Sequence, residues 1–520
     1  MPIYSGVPII GRCNRGFCIS CPELVVTMRK VDLRRKLNTF DVTSLVVGSI
    51  IGADIYVAAA IGARLVGPSS LLVWVAAGAI AIVIALSFSH CAMLMPRVGG
   101  PYAYVREVSD SFTGFTVGWA LFLAEWFSLA VFPVAFVQYS SSMVNGTGET
   151  TSIALKGGFI LIVFVTNLVG IKAAGKFNDV LTISKLAPLL LLTVAGLTYI
   201  AFNADHAVSN FTPFFTGKAT DIGQALVLIF WAYAGFELAT LPANEIERPE
   251  RTIPRAIVTG MIIVMVFYLV TNFVILGTVD QSSLSSSQTP LMDASSTMFV
   301  QYRSLSLAVP VIIGIGAIVS ILGADESGTI GTSRLAYAMS VDGLFPKLFS
   351  TIHPRYRTPY LGLAIICLTA FIASVLGALT ELISASVFLL AFAYFSTAAA
   401  TIRLGKKYPE AASKLRGRLV IPIAGMFFSV VLMALVDFRL ILVSFALIVA
   451  GLPVYVVFAP KKEVHELREA FLSREAVLRR TYEQGERFLA YPWRRVMWLV
   501  YRRRRMKRPW IVQGPARPDK

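Results

Sequence analysis

Charge is scarce in this chain of 520 residues: Asp, Glu, Lys and Arg make up 15% of it, against 56% hydrophobic residues and a mean hydropathy of +0.69. A water-soluble domain needs more polar surface than that, so the soluble classes are excluded. Histidine is rarer still. His90, His206, His353 and His465 are dispersed, and the chain contains no HExxH, no GxxxxGK[ST] and no GxSxG. Zinc hydrolysis, P-loop ATP chemistry and a serine nucleophile elbow therefore find no support, and an enzyme is not expected. Of the five cysteines, Cys13, Cys18 and Cys21 form a CxxxxCxxC cluster with no fourth ligand nearby, so neither a metal nor another cofactor is expected. Cys91 and Cys367 fall inside apolar runs and read as small hydrophobes. Residues 1–27 lack the apolar core of a cleavable signal, and Met28-Arg29-Lys30 reads as a natural start preceded by an extension.

What the chain has instead is long apolar runs. Stretches of roughly 17 to 25 apolar residues are what a hydrocarbon core requires. Twelve occur, near 40–66, 69–95, 115–143, 154–171, 179–202, 221–243, 254–277, 305–339, 359–379, 381–403, 419–436 and 438–458. The last two count separately only if Asp437-Phe438-Arg439 is a turn. The expected fold is an all-α polytopic membrane protein with 12 transmembrane helices, and an even count puts both termini on one side.

The net charge of +17 does not point to nucleic acid, because its distribution is one-sided. With the N-terminus inside, only Arg64, Lys156, Lys218, Arg303 and Arg439 of the 47 basic residues lie in outer loops, and Lys185 lies within a span. That bias places both termini in the cytoplasm of a cell-membrane protein. The tail from Lys461 onward carries 17 Lys and Arg, with Trp493, Trp498, Tyr501 and Trp510 interleaved. Such a segment is suited to lying on the lipids of an anionic inner leaflet, or to remaining a solvated basic tail.

Two spans are interrupted. The first contains Gly48-Ser49-Ile50-Ile51-Gly52-Ala53-Asp54-Ile55-Tyr56. Two glycines weaken a helix where no water can rescue the backbone, and a carboxylate at mid-depth costs roughly 3 kcal/mol on the gentlest scale. The sixth contains Phe230-Trp231-Ala232-Tyr233-Ala234-Gly235-Phe236-Glu237, again with a glycine and an acid. Broken spans in corresponding positions of two halves mark a transporter's binding site, and these two sit five spans apart.

Several motifs, in order, carry a family resemblance. Phe40-Asp41-Val42 leading into Gly48–Gly52, Pro96–Tyr104, Phe236-Glu237 with Asn244–Ala256, Ser333–Met339, Asp342–Pro346 and Thr358-Pro359-Tyr360 resemble the amino acid-polyamine-organocation transporters over roughly residues 37–460. The resemblance implies a leucine-transporter-like fold with five-plus-five inverted repeats, two further helices and alternating access. The chain then divides into a cytoplasmic segment 1–36, a transport core 37–403, helices eleven and twelve within 404–460, and a cytoplasmic tail 461–520. It implies that a substrate carboxylate meets the first-span amides of Ser49, Ile51, Gly52 and Ala53. A substrate amine would meet sixth-span carbonyls, with Trp231 as an aromatic gate and Tyr233, Ala234, Gly235 and Phe236 beside it. Exposed N–H ends attract anions and C=O ends attract cations, which agrees with that arrangement. For Trp231 and Phe236, interhelical packing explains the residue type equally well.

The chain departs from the family at Asp54, where relatives commonly carry glycine. Two carboxylates 4 Å apart at an effective dielectric of about 20 repel by about 4 kcal/mol, enough to abolish ordinary amino acid binding. Three arrangements relieve this: Asp54 is protonated, it points toward Lys185, or the substrate has no carboxylate. Asp325 and Glu326 in the eighth span are also unusual, and Asp325, three residues before the small Gly328, shares that residue's face better. Asp54, Glu125, Glu237, Asp325 and Glu326 then stand against one internal base, an imbalance that a cationic substrate or protonation would relieve. That base, Lys185, matches a fifth-span lysine that stands in for a sodium ion in proton-using relatives, the alternative being a side chain that snorkels to the surface. The expectation is a proton-coupled permease of amino acids, leaning to cationic ones. The alternatives are a polyamine or organic-cation carrier and a receptor built on a transporter fold.

Overall fold

The computed structural model describes residues 37–96, 99–143, 148–169, 174–240, 246–461 and 463–464. The cysteine cluster, nearly all of the basic tail and residues 241–245 lie outside them. The described residues are helical, with one isolated bridge between Leu37 and Ile246. Eighteen helices are labelled in chain order: α1 Thr39–Ile50, α2 Ala53–Val66, α3 Ser70–Leu94, α4 Gly100–Val108, α5 Ser111–Met143, α6 Glu149–Val169, α7 Ala174–Phe202, α8 Ala204–Asn210 and α9 Ala219–Phe230. There follow α10 Pro249–Thr278, α11 Gln281–Ser286, α12 Pro290–Met298, α13 Arg303–Val341, α14 Tyr360–Leu376, α15 Leu379–Lys407, α16 Pro409–Ala412, α17 Val420–Leu435 and α18 Phe438–Phe458.

Within the described residues, each of the twelve apolar stretches includes one of these helices, the sixth continuing from α9 into two 3-10 turns. Among the described residues, nine stretches are long and apolar enough to cross a membrane, and α1, α14 and α17 are shorter apolar helices. The burial pattern is that of a multi-pass membrane protein. Large apolar side chains such as Leu161, Ile162, Ile262, Val266, Ile423, Phe427 and Phe445 face outward. Acids and a lysine are buried within: Asp54, Glu125, Lys185, Glu237 and Asp325. Lipid reverses the usual preference, since it solvates hydrocarbon and rejects charge.

Local sequence sets the helix ends. Asn38 caps α1, accepting from the amides of Phe40 (2.7 Å) and Asp41 (3.2 Å), while Asp41 accepts from the Asn38 amide at 2.8 Å. This reciprocal box satisfies donors that α1 itself cannot. Between α17 and α18, Asp437 is the turn residue: its side chain accepts from the Arg439 amide at 2.9 Å and starts α18. Of the long spans, α15 is the most buried and α18 the least. Helix α5 packs on both α13 and α15, and α10 packs on α1 and α3, so the broken α1–α2 span is enclosed by long helices.

Candidate functional site

The first span breaks at Ile51-Gly52. Ile51 is extended (φ −75°, ψ 99°), and α2 starts afresh at Ala53. The last carbonyls of a helix have no partner in their own turn. Here side chains from three other helices supply them. Lys185 Nζ of α7 donates to the Gly48 carbonyl at 3.1 Å, Tyr268 Oη of α10 to Ile50 at 3.1 Å, and Ser320 Oγ of α13 to Ile51 at 3.4 Å. Gly52 is required by close approach, since a β-carbon there would lie 2.5 Å from Ala324 Cβ and 3.2 Å from the Phe132 ring.

The second break runs from Phe230 through a 3-10 turn, Trp231–Tyr233, to an extended Ala234 and then to Gly235 at φ +117°. A second 3-10 turn covers Phe236–Thr240. Only glycine adopts that φ without strain. The position is also crowded, because a β-carbon on Gly235 would lie 2.9 Å from the Ser49 carbonyl oxygen. Ser49 Oγ donates to the Gly235 carbonyl at 3.1 Å. The two interruptions, 186 residues apart in sequence, therefore touch.

Acids flank this junction. The Gly235 amide donates to both carboxyl oxygens of Glu237 at 3.1 Å, and Tyr394 Oη of α15 donates to Oε2 at 2.9 Å. Glu125 of α5 is a close neighbour of the same carboxyl group. Asp54, the second residue of α2, is 5% exposed and its carboxyl group lies against the N–H groups of Gly52 and of Asp54 itself. Lys185, 2% exposed, is drawn by the charges of Glu326 and Asp54, and its Nζ would lie 2.8 Å from a β-carbon on Gly323. A larger residue at 323 would displace it, and burial this deep is not surface snorkelling.

The remaining sequence candidates separate into groups. Ile51, Gly52 and Ala53 are buried at the first break, and Ala234 is half-buried at the second. Trp231 turns to α5, donating from Nε1 to Ser128 Oγ at 3.0 Å with its ring 6.1 Å from that of Phe132. Tyr233 and Phe236 turn to α3. Tyr233 Oη donates to the Trp74 carbonyl at 3.1 Å, and Phe236 meets Phe88 edge-on at 5.4 Å. Asp325 is wholly buried, and among the described residues neither of its carboxyl oxygens has a hydrogen-bond partner. Its electrostatic neighbours include Glu326 and Cys367 of α14. Sequence reasoning missed Ser128, Tyr268, Ser320 and Tyr394. Each is an ordinary span residue whose role exists only across helices.

The family model described as amino acid permease matches residues 37–459. A branched-chain amino acid permease of Bacillus subtilis is 26% identical over 460 residues, covering 84% of this chain and 96% of that protein. A methylthioribose transporter of the same organism is 27% identical, covering 74% and 84%. The human cystine/glutamate transporter is 27% identical, covering 82% and 86%.

Proposed function

This chain belongs to the amino acid permease family, and from that premise we propose that it is a proton-coupled secondary transporter of amino acids, with a preference for cationic ones, working by alternating access. The observation that carries the reading is the junction of the two broken spans, where Ser49 donates to Gly235. Freed backbone groups at mid-span in two touching helices are what a small polar substrate needs in a medium without water. The relatives are named for branched-chain amino acids, cystine with glutamate, and methylthioribose, so substrate identity varies within this likeness.

Lys185 supports the proton coupling. An ammonium group on the Gly48 carbonyl links α7 to α1 beside α13, and loss of its proton would weaken that link by removing the charge from the donor. The excess of buried acids over this one base supports the cationic preference and also favours a second reading, a carrier of polyamines or other organic cations. In the same proposal, residues 37–403 form a five-plus-five inverted-repeat core, α17 and α18 lie outside it, and twelve crossings leave both termini in the cytoplasm. The basic tail rests on anionic inner-leaflet lipid.

Uptake into proteoliposomes tests the reading. Labelled amino acids should accumulate when an inward proton gradient is imposed, and replacing sodium with choline should not matter. Strict sodium dependence would overturn the coupling, and the absence of any transport would favour a receptor.

A further inference from the structure

Three successive residues of α13 meet three different parts of the bundle. Gly323 leaves room for Lys185 of α7, whose Nζ would lie 2.8 Å from a β-carbon there. Ala324 closes on the first break, its Cβ 2.5 Å from where a β-carbon of Gly52 would be. Asp325 follows about 100° further round the helix. It has Cys367 of α14 among its electrostatic neighbours. Its side chain is wholly buried, and neither carboxyl oxygen has a hydrogen-bond partner among the described residues.

The charged groups on the helices packed against α13 are engaged elsewhere. Lys185 donates to the Gly48 carbonyl and is drawn by Glu326 and Asp54, and Lys156 of α6 donates to the Ser374 carbonyl at 2.6 Å. Glu125 of α5 stands beside Glu237, Asp54 of α2 lies against the amides of Gly52 and Asp54, and Asp293 of α12 accepts from Ser287. Among the described residues, the titratable groups that face Asp325 are Glu326 on its own helix and Cys367 on α14, and neither brings positive charge. A carboxylate with neither donor nor counter-charge is so costly inside a membrane that the group keeps its proton instead. As a mere filler an acid is a poor choice, since it leaves two polar atoms unpaired where an apolar residue of similar size would leave none. What it adds is a proton that can be released. Helix α13 packs on α1, α5, α7 and α14, so a change in how it meets the broken span alters what reaches Asp325.

We propose that Asp325 is a second proton-carrying site of this permease, separate from Lys185, which holds a proton in the arrangement seen here and gives it up when α13 and the broken span rearrange. The inference rests on the proton-coupled reading and adds a group to it. Lys185 and Asp325 each account for a proton that crosses with substrate.

Two measurements on the full-length protein test it, each with Asp325→Asn, which keeps the size of the side chain in a permanently uncharged form, and with the apolar Asp325→Leu. Infrared spectra of protein carrying isotope-labelled aspartate should contain, at neutral pH, the carbonyl band of a protonated carboxylic acid that both substitutions remove. Absence of that band would overturn the inference. In proteoliposomes, proton and labelled amino acid movement are recorded together. Both variants should move one proton fewer per substrate molecule while still exchanging substrate in the absence of a gradient. Under a ten-fold proton gradient they should accumulate about ten-fold less substrate than the parent, the equivalent of about 1.4 kcal/mol. An unchanged proton-to-substrate ratio in either variant, well folded, would overturn the inference and leave Lys185 and the permease reading standing. Loss of exchange along with accumulation in the folded variants would overturn it too, by placing Asp325 in the substrate path. Uptake by the unsubstituted protein that ignores the proton gradient would remove the coupled reading and this inference together.

Discussion

Gly235 sits so close to Ser49 that a single added carbon on the glycine would meet the Ser49 carbonyl oxygen at 2.9 Å, while Ser49 Oγ holds the Gly235 carbonyl at 3.1 Å. The contact joins the two interrupted spans at the point where both have lost helical hydrogen bonds. Its neighbours are charged or polar groups drawn from α5, α7, α10, α13 and α15.

Gly235→Ala should therefore lose at least ten-fold in uptake, because the residue faces both a positive φ and a backbone atom that cannot yield. Strain of about 1–3 kcal/mol is expected for an ordinary residue in a sparsely populated backbone region. Gly158→Ala is the control, since nothing lies within 4 Å of that position. Uptake by both variants is measured beside thermal stability. Equal uptake by the two would place the substrate path away from this junction.

Lys185→Ala should abolish accumulation driven by a proton gradient while leaving exchange of substrate across the membrane, because exchange moves no net proton. Gly323→Ala should weaken the same activity by a different route, since its new methyl group would lie 2.5 Å from Lys185 Cε. Gradient-driven uptake into proteoliposomes, with and without an uncoupler, reads both. Full accumulation by Lys185→Ala would end its coupling role.

Tyr394→Phe removes the 2.9 Å hydrogen bond to Glu237 and leaves ring packing against Phe88 and Phe236 intact. Stability should fall by about 1–3 kcal/mol, the range for a hydrogen bond to a charged or fully buried group. Glu237→Gln combined with Tyr394→Phe should cost less than the sum of the two single changes, because both act on one network. Additive losses in that cycle would show the two residues to be energetically independent.

Arg106 of α4 pairs with Asp342 just past α13, shares Tyr102 Oη at 3.0 Å, and approaches Glu463 at 3.8 Å. Both members of the Arg106–Asp342 pair are about one-third exposed, at 31% and 37%, so water screens much of their attraction. An exposed pair of this kind contributes about 0–1 kcal/mol. Arg106→Ala should thus leave melting temperature within a few degrees of the parent and instead change the uptake rate, by unfastening α4 from the end of α13. A large loss of stability with unchanged uptake per folded molecule would mark the cluster as scaffolding.

Much of this arrangement was legible in the chain before any coordinate. Apolar runs long enough for a bilayer, glycines at 48, 52 and 235, and acids at 54 and 237 are local features, and hydrophobicity and backbone freedom act locally. They marked the class, the helical character and the two interruptions. Asp54's return onto its own helix start also follows from a local preference for acids in a first turn. What tertiary structure alone decided is who completes the broken ends. The donors to Gly48, Ile50 and Ile51 come from residues 137, 218 and 269 positions away, and no periodicity in sequence connects them. The packing of Tyr233 and Phe236 on α3, and the lack of a hydrogen-bond partner for Asp325 among the described residues, were decided in the same way. A side chain's type is fixed by the sequence, but in a bundle of long helices its partner is set by which helices pack together and at what rotation.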